Sequence, residues 1–228
     1  MTAPPSDARP KGEQTRQLIV DTALRLFQEV GYEGTTMRAI AAAAGVSVGN
    51  AYYYFESKDH LVQAYYDRSQ DEHEQAARPV LDRETDFEQR LRGLLLARVD
   101  TMQPYHEFAG SFFKTAADPR SPLSPFSPES APARAAATAL YAEALHGSTA
   151  KVPPALREQL PDLLWLYSMG IVLFWVHDAS PGAAKTYLLV DRTVPLVVRL
   201  VNLSRYRVLR GVVDDVVTLI ADLRGDRR

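Results

Sequence analysis

Apolar residues in this 228-residue chain recur three and four positions apart in one segment after another, and no stretch alternates apolar with polar at every second position. Such spacing fits a helix of 3.6 residues per turn and cannot line one face of a strand, which restricts the chain to an all-α fold. The first segment runs from Glu13 to Val30, where Ile19, Ala23, Leu26, Phe27 and Val30 share a face and Gly31 supplies the stop. Further amphipathic segments fall at 61–82, 86–102, 104–117, 129–146, 154–177, 182–204 and 207–223.

Composition narrows the function classes. Hydrophobic residues make up 46% and charged residues 24%, an ordinary globular balance. There is no cysteine, which excludes disulfides, thiolate metal sites and cysteine nucleophiles. Residues 1–12 carry three prolines and no apolar core, and read as a disordered arm instead of a signal peptide. The longest uncharged apolar run, Leu163 to Val176, is shorter than the roughly 20 residues a membrane span needs. It reads as a core helix, with no membrane partner and a cytoplasmic location expected. Between Pro119 and Pro132, prolines at 119, 122, 125, 128 and 132 alternate with serines. Proline at every third position points to a polyproline II spacer, a solvated loop between helices.

The segment Thr36 to Phe55, TMRAIAAAAGVSVGNAYYYF, carries the chemistry. Two short helices meet at Gly45, with Thr36 and Ser47 as N-caps, and together they make a helix-turn-helix, whose second helix is shaped for the DNA major groove. Val46, Ala51 and Phe55 fall on one face and pack inward with Ile40. That leaves Val48, Gly49, Asn50, Tyr52, Tyr53 and Tyr54 facing outward. Neighbours on a helix point about 100° apart, so three consecutive tyrosines cannot all be buried. Phenolic hydroxyls donate to phosphate oxygens, and the rings pack on sugars and thymine methyls. Gly49 lets the backbone come close to the groove, and Asn50 can pair with adenine. Arg38 and Lys58 supply positive charge. Bulk charge does not help: the net charge is −2, and residues 1–60 hold six Lys/Arg against seven Asp/Glu. Recognition must therefore rest on the placement of donors.

These residues resemble the DNA-binding domain of the TetR (tetracycline-repressor-like) family. The family pattern is met at Phe27, Gly31, Tyr32, Thr35, Thr36, Ala44, Gly45, Val46, Ser47, Gly49, Tyr52, Phe55, Ser57, Lys58 and Leu61. Ala51 stands where leucine is usual and Tyr54 where histidine is common. The resemblance covers Thr15 to Tyr65. It implies that Thr36, Tyr52, Tyr54 and Lys58 touch phosphates while Val48, Asn50 and Tyr53 face bases. It also implies a homodimer on a near-palindromic double-stranded operator, acting as a repressor that a small molecule releases. Residues 13–60 would then form the DNA-binding domain and 61–228 a regulatory and dimerisation domain.

In the second half, Leu189, Thr193, Leu196, Leu200 and Leu203 repeat at the spacing of an interhelical seam, with Val190, Val194, Val197 and Val201 beside them. The first stripe is the expected dimer interface, built as a four-helix bundle by the family resemblance, and Pro195 should kink its helix. Tyr65, Phe108, Phe112, Tyr141, Trp165 and Met169 are candidate lining for a small apolar or aromatic ligand. The competing reading is a DNA-binding regulator with a solid core and no small-molecule ligand. Enzyme motifs are incomplete. His73-Glu74 and His106-Glu107 each begin a zinc-protease pattern, but Ala77 and Gly110 stand where the second histidine is needed. Ser111 and Lys114 match a lactamase fragment whose second motif fails at Tyr187. No catalytic residue, metal or cofactor is expected.

Overall fold

The computed structural model describes residues 10–206 together with 211, 215 and 218. The side chains of 108, 111, 112 and 114 fall outside that description, as do the first nine residues of the expected arm and most of the segment at 207–223. The described residues form helices and no strand. In chain order they are α1 (Lys11–Val30), α2 (Met37–Ala43), α3 (Val48–Tyr54), α4 (Lys58–Arg83), α5 (Phe87–Met102), α6 (His106–Ala116), α7 (Ala131–His146), α8 (Pro154–Val176) and α9 (Ala184–Leu203). Lys11 and Gly12, expected in the arm, already belong to α1. Pro10 precedes them as N-cap, a place where its missing N–H costs no hydrogen bond.

The chain divides into two compact units, Met1–Arg68 with Glu107–Ser130, and Ser69–His106 with Ala131–Arg228. In the first, α1 packs on α2 and α2 on α3. Ile19, Ala23, Phe27, Ile40, Ala41, Ala51 and Phe55 are buried there. Burying a side chain the size of Phe27 contributes about 2 kcal/mol. Gly31 and Gly45 end α1 and the turn after α2 with φ of 81° and 67°, a left-handed conformation that a Cβ would strain.

The proline-serine segment is not polyproline II. The amide N–H groups of Ser121, Ser124 and Ser127 donate to the carbonyls of Asp118, Ser121 and Ser124 at 2.9–3.0 Å, which gives consecutive tight turns. Pro122, Pro125 and Pro128 each follow a serine, at a position where the fixed φ of proline suits a turn as well as an extended chain. The turns are anchored on α4: Gln63 Nε2 donates to the Pro122 carbonyl at 2.8 Å and the Tyr66 hydroxyl to the Leu123 carbonyl at 2.9 Å. Ser124, Ser127 and Ser130 are buried, so the segment is packed and not a solvated spacer.

In the second unit α5 contacts α7 and α9, α7 packs on α8, and α8 on α9. Leu91, Leu94, Leu95, Leu145, Leu164 and Val190 fill its interior. Arg90 is buried, and its guanidinium donates to the carbonyls of Leu81, Glu84, Glu143 and Ala144. Those carbonyls come from the ends of α4 and α7, where helix acceptors go unpaired and the dipole favours a cation. Gly147 makes room for it, since a Cβ there would lie 2.4 Å from Arg90. α8 is longer than its uncharged run, because Arg157, Glu158 and Asp162 lie in its first half. At 23 residues it is long and apolar enough to cross a membrane by length and composition. Leu156, Leu160, Leu164, Trp165, Ile171 and Trp175 are nevertheless buried within the fold. α9 runs as one helix through Pro195.

Candidate nucleic-acid interface

α3 is set by its two ends. The Ser47 hydroxyl oxygen accepts the Asn50 N–H at 3.0 Å, and Thr36 does the same for Ala39 at 3.1 Å, so both α2 and α3 start on a side-chain cap. Ala51 and Phe55 then turn inward, and the Arg16 guanidinium of α1 lies 5.2 Å above the Phe55 ring. The opposite side of α3 faces outward. Tyr53 is 81% exposed, Tyr52 49% and Val48 40%, and Gly49 and Asn50 are exposed as well. Nothing lies within 4 Å of where a Gly49 Cβ would stand, so that side of the helix is open to close approach. Tyr54 is half-buried, and its ring meets that of Tyr53 edge to face with centroids 5.1 Å apart. Arg38 is exposed on α2.

Lys58 is held more firmly than its place in the sequence suggests. Its ammonium donates to the Tyr32 carbonyl at 2.8 Å and sits 4.3 Å from the centre of the Tyr32 ring. The Tyr32 hydroxyl donates to Asp59, and its pKa is raised by burial and then by the bond and charge of Asp59, so it remains a donor. Tyr32, Lys58 and Asp59 thus tie the start of α4 to the end of α1. Sequence reasoning singled out Lys58 and met Tyr32 only as part of the family pattern, and it gave Asp59 and Arg16 no role, because these pairings join residues that only the fold brings together.

The residues expected at a dimer face divide by depth. Leu196, Leu200 and Leu203 are exposed, Leu200 at 67%, and Leu188 joins them. Leu189 and Thr193 are half-buried, and Thr193 is bonded to Tyr167 within the same unit. α8 adds exposed Leu166, Leu173 and Phe174. Val190, Val194 and Val201 face the interior, as does Val198, while Val197 is half-buried.

Of the residues expected to line a ligand, Phe108 and Phe112 lie outside the described side chains. Tyr65 is buried in the first unit. Tyr141 and Trp165 are buried in the second, where Met169 is half-buried. An open groove of about 820 Å³ between α7 and α8 is lined by Arg134, Ala135, Ala139, Arg157, Glu158 and neighbouring residues, none of them on that list. Sequence reasoning also missed two buried polar side chains, Gln70 and His73, beside the half-buried Arg98. Gln70 and His73 stand on α4 among its core-facing positions, a pattern that marks a polar group placed inside an apolar interior. No cluster of acidic and histidine side chains suited to a metal occurs among the described residues.

Residues 19–65 match the family described as bacterial regulatory proteins of the tetR family, and residues 90–219 match the tetracyclin repressor-like C-terminal domain. The chain is similar to the transcriptional repressor KstR2 of Rhodococcus jostii (strain RHA1), 42% identical over 62 residues, which are 27% of this chain and 30% of that protein. It is similar to the regulator AcrR of Shigella flexneri, 40% identical over 60 residues, 26% of this chain and 28% of that one. These matches span under a third of either relative. Among solved structures, a TetR-family regulator from Syntrophomonas wolfei superposes with a TM-score of 0.68 at 16% identity, covering 82% of this chain and 96% of its own. FadR of Thermus thermophilus, a TetR-family repressor solved with lauroyl-CoA, gives 0.54 at 21% identity, covering 79% and 93%.

Proposed function

The chain belongs to the TetR family of bacterial regulatory proteins, and from that premise we propose that it is a homodimeric repressor that binds a near-palindromic operator through α3 and is released by a small molecule. The observation that carries this reading is the outward face of α3. Two tyrosines, a valine, an asparagine and a bare glycine stand exposed on a seven-residue helix capped by Ser47. A helix of that size reads only a few base pairs, and two-fold pairing doubles the contact. Thr36, Ser47, Tyr52, Tyr54 and Lys58 are assigned to phosphates, and Val48, Asn50 and Tyr53 to base edges, with Arg38 supplying charge. Gly49 permits the approach.

Homodimerisation is supported by the exposed apolar residues of α8 and α9, two helices that pack on each other, since exposed apolar side chains gathered on neighbouring helices favour a partner surface. Release by a small molecule is supported by buried polar side chains in the second unit and by the lauroyl-CoA complex of a protein with this fold. A cytoplasmic location follows from a task that requires access to DNA. Fluorescence anisotropy against genomic duplex fragments tests the reading. Saturable binding that weakens steeply with salt is expected, since phosphate contacts release counterions. Retention of no fragment at low salt overturns it.

A further inference from the structure

Arg16 differs from the other paired arginines of the first unit. Arg25 meets Glu29, Arg68 meets Asp21 and Arg120 meets Asp118, each as an ion pair. Arg16 makes no hydrogen bond and no ion pair among the described residues, although Glu13 stands three positions before it on the same helix. Its one contact of this kind is with a ring: the guanidinium lies 5.2 Å above Phe55. A cation held over a ring face spends none of its N–H groups. The last carbonyls of a short helix such as α3 could take those protons, yet none of them accepts from Arg16. The side chain is half-buried, so its stem is packed while its donors stay unspent.

Two further contacts fix where this cation stands. Gly12, one turn before Arg16 on α1, lies beside the end of α3, because the Tyr54 hydroxyl is 3.5 Å from the point a Gly12 Cβ would occupy. The Tyr54 ring in turn meets the exposed Tyr53 edge to face. The first turns of α1 therefore border the outward face of α3. Phe55 is on the inward side of that helix, so a cation over its ring stands at the flank of the reading face and not within it.

We propose that Arg16 is a further DNA contact, whose guanidinium binds a backbone phosphate beside the groove that α3 enters. The flank of a reader helix meets the sugar-phosphate backbone, while its exposed face meets base edges. A guanidinium presents paired N–H groups that match two oxygens of one phosphate, and a ring beneath it limits the freedom lost on binding. The net charge of −2 leaves recognition to such placed donors. This deepens the operator-binding reading above and rests on it.

The test measures affinity of the full chain by fluorescence anisotropy across a salt series, on a duplex enriched from a random library and on a scrambled duplex of the same length. Arg16→Met keeps a stem over Phe55 without the charge, Arg16→Gln is a second neutral variant, and Arg16→Lys keeps the charge. Both neutral variants should bind about tenfold more weakly, on the two duplexes alike. The slope of log affinity against log salt should fall by about one for each subunit bound, as one phosphate contact is lost. Arg16→Lys should restore the slope. A purely structural role would lower affinity through the folded fraction and leave the slope at its wild-type value. An unchanged slope in the neutral variants therefore overturns the assignment, and so does a loss confined to the enriched duplex. A wild type that binds neither duplex overturns the operator-binding reading and takes this assignment with it, whereas an unchanged slope with wild-type binding intact overturns the assignment alone.

Discussion

At the scale of the residue, Tyr52 and His73 show how one side chain takes its task from its surroundings. Tyr52 is held at the helix surface by a neighbour, Ala51, that fills the interior in its place. Its hydroxyl is free to reach a phosphate, a contact that carries no sequence information. Tyr52→Phe should weaken binding to all duplexes alike, by roughly 1 kcal/mol, as measured by anisotropy on several sequences. A change confined to some sequences would move Tyr52 to a base edge. His73 is a different case, a titratable ring sealed in leucine. Its pKa falls from 6.5 to about 3 because burial disfavours the cation, Arg98 repels it, and the Leu94 carbonyl only partly offsets the two. The unfolded chain takes up a proton near pH 6.5 and the folded chain not until about pH 3. The stability this ring contributes is complete above pH 6.5 and declines by about 1.4 kcal/mol per pH unit below it. Thermal melts between pH 7 and 4 should slope less in His73→Phe than in the wild type. Parallel slopes would show that acid sensitivity arises elsewhere.

At the scale of the element, helix ends decide where the interface stands. Ser47 and Gly45 fix the start of α3, and both are readable in the sequence, since a hydroxyl cap after a glycine turn leaves little choice of register. The start of α9 depends on a longer reach. Asp178 accepts hydrogen bonds from the N–H and hydroxyl of both Ser180 and Thr186. Burial alone would raise its pKa, but these four donors outweigh it and hold the carboxyl well below the usual range. Asp178→Ala should lower stability by about 1–2 kcal/mol in chemical denaturation, and a midpoint left in place would show that Ser180 and Thr186 suffice. In the sequence Asp178 reads only as a residue after a helix, because its partners lie up to eight positions ahead. The proline-serine turns are a stronger case. Proline every third residue fits an extended spacer and a train of turns equally well. Gln63 and Tyr66, nearly sixty residues earlier, supply the anchors.

At the scale of the whole molecule, the sequence carries what is periodic and hides what is paired. The helices seen among the described residues, the short helix after Gly45 and the leucine row of α9 all follow from spacing within one segment. Which leucines stay uncovered does not, because that depends on α8 packing beside them, and Leu189 and Leu200 read alike until it does. The buried pair Gln70 and His73 is illegible for the same reason, because their partners Arg98 and Leu94 stand on another helix. If the leucine row is a subunit contact, Leu200→Glu should shift the mass in analytical ultracentrifugation from dimer to monomer and cut operator affinity with it. A dimer that persists would place the contact on another face. The central claim is that α3 reads duplex DNA in a two-fold pair, and selection of binding sites from a random duplex library tests it most directly. The wild type should enrich an inverted repeat with half-sites about one helical turn, or a multiple of it, apart, and Asn50→Ala should lose preference at one base pair in each half. Enrichment of no motif, or the same motif from both proteins, would contradict it.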